Sequence, residues 1–301
     1  MYKDKEDGET HTGAYIASRV TKNIVESFFK EKINNDNLEI TQDDIGSLEK
    51  SIKHGLKEKL DKQDSGNSNI RSNLIRTFPT TMAVGQISQA SKKIQLLWAG
   101  DSRVYLLSSE KGLIQLTKDD LKSNNDPFQN IENDSPLSNM INLDEDFIIN
   151  FKDIEIEKSN LIVFFAATDG CFGYFPTPMH FEYMLLQTME DSDSIDQWKQ
   201  KISEKLKNIS GDDYSMALVC LTQDGADFSQ LKNSFQIRYK TLCDEYMKKL
   251  ADKEKIVADL EKKEEEIKSK LARQKTDRKY LYEALWKQYK KTNYPFNSEE
   301  L

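Results

Sequence analysis

The chain has 301 residues, enough for one large domain with an appendage or for two domains. Apolar residues make up 37% and charged residues 31%, so there is material for a real core and a highly charged remainder. A formal net charge of -8 argues against unspecific binding to nucleic acid or to a membrane surface. No apolar run approaches the ~20 residues that span a bilayer, and the N-terminal MYKDKEDGET is too polar for a secretory leader, so a cytoplasmic protein is expected. Cys171, Cys220 and Cys243 lie far apart with no CxxC spacing, which suits buried, reduced thiols.

Gly13 to Phe29 carries Ile16, Val20, Ile24 and Phe28 at helical spacing, with Thr10 or Thr12 as the cap. A second amphipathic helix is expected from Asp43 to Leu60, burying Ile45, Leu48, Ile52, Leu56 and Leu60. Gln63 to Asn73 has loop composition. Thr77 to Ile87 and Lys93 to Ala99 read as a hairpin of two strands, the second running into the turn Gly100-Asp101-Ser102-Arg103 and a further apolar strand to Leu107. Arg103 is the base in that turn, and bracing the turn through a carboxylate is its expected role. Leu113 to Thr117 is a short strand, Asn124 to Asn139 a polar loop, and Asn150 to Glu157 another strand.

Leu161 to Ala167 is apolar, β-branched and aromatic, which suits one strand buried on both faces. It ends at Thr168-Asp169-Gly170, read by itself as an ordinary Asp-Gly turn. Helices follow over Phe181 to Met189 and Ser194 to Ile209, and Gly211-Asp212-Asp213 leads into a final strand to Leu221. Three strand ends thus carry an Asp. Hard divalent cations take oxygen ligands, and Mg²⁺ keeps several waters while using few carboxylates. Such ends suit a metal site only if they meet in space. His11, His54 and His180 have no partner spacing, and there is no Gly-x-Ser-x-Gly elbow or Cys-x5-Arg loop to supply a covalent nucleophile.

After Asp224-Gly225 the composition shifts. Gln230 to Lys291 lacks glycine and proline, is rich in Lys and Glu, and repeats Leu242, Tyr246, Leu250, Val257, Leu260, Ile267 and Leu271 at spacings of three, four or seven. A long charged helix or helical hairpin is expected, with a possible break near Gln274 to Asp277 and polar Lys253 and Glu264 on its seam. Aromatic residues cluster between Tyr280 and Tyr294, which suits packing on a partner. The division expected is 1–225 for the first domain and 226–301 for a separable helical arm that self-associates or binds another protein.

In order, GDSRVYLL (Gly100 to Leu107), LTKDD (Leu116 to Asp120), TDG (Thr168 to Gly170) and GDDYS (Gly211 to Ser215) resemble the motif series of the PP2C-type (PPM) metal-dependent Ser/Thr phosphatases. The resemblance spans about Gly8 to Leu221. It implies an α+β fold: a sandwich of two mostly antiparallel sheets flanked by helices. It also implies hydrolysis of phosphoserine or phosphothreonine in protein substrates by a water bridging two Mn²⁺ or Mg²⁺ ions, with no phosphoenzyme. By the same resemblance Asp7, the Gly8 carbonyl, Asp169 and Asp212 hold that pair, Asp213 is the alternative to Asp212, and Asp101 with Asp169 holds a weaker third ion.

Asp7-Gly8 stands where the family has its metal-binding Asp-Gly, although the turn to Gly13 is short and lacks the family's glycine pair. No stretch before it matches the family's first strands or their phosphate-binding Arg. The resemblance therefore implies weak turnover by this chain, and the alternative function is that of a pseudophosphatase acting as a phosphoprotein-binding or scaffold module.

Overall fold

Alternation along the strands sets the architecture. The structure, a computed structural model, describes residues 2–3, 10–35, 39–62, 76–88, 93–122, 136–155, 162–221 and 227–293. Strands β1 (Tyr2–Lys3) and β2 (Thr10–His11) pair antiparallel. Helices α1 (Gly13–Asn34) and α2 (Gln42–Asp61) follow. Next come β3 (Met82–Ser88), β4 (Lys93–Ala99), β5 (Arg103–Ser108), β6 (Gly112–Gln115), β7 (Asn150–Glu155) and β8 (Ile162–Ala167). Helices α3 (Pro178–Glu190) and α4 (Ile195–Ile209), strand β9 (Met216–Leu221), and helices α5 (Phe228–Leu242) and α6 (Lys248–Asn293) complete the chain.

Two sheets stack. One is ordered β3-β4-β7 and the other β6-β5-β8-β9, and every strand pairing in them is antiparallel. Ile94, Leu96 and Trp98 of β4 face Val104 of β5 and Phe164 of β8 between the sheets. The alternate residues Leu97 and Ala99 turn outward onto Ile16, Ala17, Ile45, Leu48 and Ile52 of α1 and α2. On the other sheet Tyr105, Leu107, Val163 and Phe165 turn outward onto Phe181, Leu185, Trp198 and Ile202 of α3 and α4. The result is helices, sheet, sheet, helices. Gly85 makes the sheet contact possible: a Cβ there would lie 2.1 Å from the Phe164 ring.

The helices begin where their caps dictate. Thr12 caps α1 by accepting from the Tyr15 N–H, and Thr41 and Asp44 form a reciprocal capping box on α2. Strand β3 starts later than its apolar pattern suggests. Pro79 has no N–H for a ladder, and Phe78 has a positive φ of 54°, so the ladder with β4 begins at Met82, while Thr80 bridges to Ile141 instead.

Two compact units divide the chain, Met1–Leu242 and Cys243–Leu301. The composition break near residue 225 and this boundary do not coincide, because α5 belongs to the first unit. Leu231, Phe235 and Leu242 are buried in the cluster around α3. Arg238 donates to both oxygens of Glu182 at 2.6 and 2.9 Å, and Tyr239 stacks on Tyr183. The second unit opens with a wide π-turn, Cys243–Met247, and continues as the 46-residue α6. There is neither a break near Gln274 nor a hairpin in α6: no glycine or proline interrupts it, and the Thr276 hydroxyl bonds back to the Ala272 carbonyl within the helix.

Candidate metal and phosphate site

Strand register brings the three acidic turns to one end of a sheet. Arg103 lies opposite Ala167, and Ala167 opposite Met216. Asp101 sits two residues before the first of these, Asp169 two residues after the second, and Asp212 and Asp213 just before the third. The turns of β5, β8 and β9 therefore converge, which spacing in sequence left open.

Each turn is clamped locally. Gly100 has a φ of +96°, a backbone that favours glycine, and a Cβ there would strike Thr81. Its N–H donates to Asp120 Oδ2 at 3.0 Å, and Asp120 also accepts from the side-chain amides of Asn139 and Asn150. Asp119 accepts three bonds from Arg103, at 2.9, 3.1 and 2.5 Å, with both side chains almost fully buried. Arg103 further donates to the Tyr105 hydroxyl and lies 4.1 Å from the centre of the Phe172 ring. Both acids of the LTKDD stretch are thus occupied in holding the β4–β5 corner, and Arg103 has the bracing role expected of it.

The β8 end continues into one helical turn, Asp169–Phe172, rather than a simple Asp-Gly turn. The Ser215 N–H donates to the Thr168 hydroxyl, and the Thr168 N–H to the Ser215 carbonyl. These bonds fasten the β8 and β9 ends together beyond the ladder. A Cβ on Gly170 would lie 2.3 Å from the Asp213 carbonyl oxygen, so only glycine lets that loop approach. Asp212 Oδ1 accepts from the Asp213 N–H at 2.7 Å, which folds the loop on itself.

Electrostatics couple two of these acids. Burial, and then the nearby Asp169 charge, raise the Asp101 carboxyl to about 6. A mostly desolvated carboxylate crowded by a second one is an arrangement that a hard cation relieves, and a Mg²⁺-like ion needs few carboxylates besides its waters. Among the described residues no group of three or more His, Cys, Asp or Glu is placed to hold an ion by itself. Asp7 and Gly8 lie outside the described residues, as does the loop over 124–135.

Asp169, Asp212 and Asp213 open onto a cleft of about 930 Å³, also lined by Ser102, Ser215 and the α1 residues Tyr15, Arg19 and Lys22. Arg19 and Lys22 are a contribution that sequence reasoning missed. They fall at i, i+3 on the polar side of an amphipathic helix, where a cation reads as solvated surface. Arg19 lies over the Tyr15 ring, its guanidinium carbon 5.4 Å from the centre. Cys171, next to the acids, is buried and its thiol is pushed up to about 11 by that burial, so it is no nucleophile.

No protein-family model matches the chain, and no curated protein matches it. Solved structures do. A C. elegans sex-determining protein is similar at a TM-score of 0.50 and 15% identity, over 74% of this chain and 57% of that one. A bacterial serine phosphatase is similar at 0.48 and 15%, over 70% of this chain and 81% of that one. The catalytic domain of the serine/threonine phosphatase PstP, solved with two manganese ions, is similar at 0.45 and 16%, over 68% and 80%. The chain spans little more than half of the nematode protein. The likeness to the nematode protein is one of fold, and two antiparallel sheets between helices are the sandwich that the resemblance to PP2C-type phosphatases implies. Among the described residues no helix is long and apolar enough to cross a membrane.

Proposed function

We propose that the chain hydrolyses phosphoserine and phosphothreonine esters of protein substrates with Mn²⁺ or Mg²⁺. The observation that carries this is the convergence of Asp101, Asp169 and Asp212 at one end of β5, β8 and β9, beside a cleft with two cations on its α1 wall. Asp169 and Asp212 would hold metal together with Asp7 and the Gly8 carbonyl, with Asp101 and Asp169 serving a third, weaker ion. When bound, such ions supply Lewis acidity and lower the pKa of a water.

The protein's own residues do the rest. Arg19, and Lys22 once it releases its exposed pair with Glu26 at 3.5 Å, present positive charge to the phosphoryl oxygens, with the phosphorus toward the acids and the ester oxygen on the far side, in line to leave. Positioning of this kind supplies a large share of barrier reduction in phosphoryl transfer. It answers the need that the resemblance assigns to an upstream Arg. Asp119 and Arg103 neutralise each other and keep the corner bearing Asp101 rigid. The attacking group in this reading is a water, as the family resemblance implies, and the buried, protonated thiol of Cys171 does not compete with it.

Phosphate release from a phosphothreonine peptide in Mn²⁺ tests this. Asp169→Asn should abolish release. Arg19→Ala should raise KM and lower kcat/KM by about tenfold, the size of one lost charge-assisted contact. Metal-independent release, or release unaffected by Asp169→Asn, would refute the reading.

A further inference from the structure

Helix α6 stands in a compact unit of its own, and its apolar residues are open: Leu260 is 58% exposed and Ile267 65%. In sequence a heptad frame covers residues 246–271, of which Tyr246 lies in the π-turn and the rest in α6. Leu250, Val257, Glu264 and Leu271 occupy one core position, and Tyr246, Lys253, Leu260 and Ile267 the other. Lys253 and Glu264 spoil this seam for a parallel, in-register dimer, because each would face its own like charge.

We infer that this helix pairs with the same helix of a second copy in antiparallel orientation. One register aligns every seam residue from 246 to 271. Tyr246 then faces Leu271 of the second copy, Leu250 faces Ile267, Lys253 faces Glu264 and Val257 faces Leu260, and twofold symmetry repeats each layer in reverse. Apolar residues meet apolar ones throughout, and the polar seam residues meet as opposite charges. The charge pattern thus selects both the occupant and its direction. Glu264 already pairs with Lys268 of its own helix at 2.7 Å, but both are well exposed, and an exposed pair of this kind contributes little and yields readily to a seam partner. The aligned stretch of 26 residues is about 38 Å long. A lone charged helix gains only ~0.2–0.5 kcal/mol from each i,i+4 pair, so burial of the seam is what orders it.

Sedimentation of the full chain tests the proposal. A reversible dimer is expected. Glu264→Lys and Lys253→Glu, each placing like charges in two layers, should each weaken it on the order of tenfold. The double exchange Lys253→Glu with Glu264→Lys should restore it, and an unchanged thermal transition of the first unit in all four proteins rules out misfolding. A monomer at every concentration, or a dimer indifferent to the single substitutions, would overturn the proposal.

Discussion

At the scale of residues, Asp101 and Asp119 do opposite things with a carboxylate. Asp119 is spent on Arg103 inside the corner. Replacing it by Ala would leave a buried guanidinium without its partner and should cost roughly 3–5 kcal/mol of stability, measured by urea unfolding. A loss under about 1 kcal/mol, the range of a surface pair, would show that the pair is not a structural brace. Asp101 is instead raised to about 6 by burial and by Asp169. In the metal-free protein its contribution to stability is present below pH ~4 and is lost as pH rises through 6, by roughly 2–3 kcal/mol. The difference in stability between the parent and Asp101→Asn should therefore change between pH 4 and 7, and Mn²⁺ at pH 7 should stabilise the parent more than the variant. A difference that is flat with pH would contradict this.

At the scale of elements, α5 decides where the first unit ends. A chain ending at Leu242 keeps Leu231, Phe235 and the Arg238–Glu182 pair and should fold, with a cooperative thermal transition. A chain ending near residue 227 exposes the α3 face that those residues cover and should lose several kcal/mol or fail to fold. Equal stability of the two would show that α5 is only a linker. The strands and amphipathic helices were legible because their apolar residues repeat at periods of two and 3.6, and one of the two caps offered for the first helix, Thr12, is the cap it has, whereas Thr41 went unread. The end of the first unit was not. Leu231, Phe235 and Leu242 fit the same spacing as the exposed seam beyond them, and periodicity does not say which stripe is buried against the same chain.

At the scale of the whole molecule, the sequence named acids that the fold then gathered. Asp101, Asp169 and Asp212 were visible as Asp at strand ends, whereas their convergence depends on the β5–β8–β9 register. Arg19 and Lys22 were hidden, because the cleft they line is formed by residues over 150 positions apart in the chain. Calorimetry of Mn²⁺ binding to the full chain tests the central claim most directly. Binding should be severely weakened by Asp169→Asn and by Asp212→Asn, and much less by Asp213→Asn, whose backbone carbonyl lies against Gly170 whichever side chain it carries. Affinity unchanged in both the Asp169 and the Asp212 variants would contradict the assignment of this strand-end cluster as a metal site.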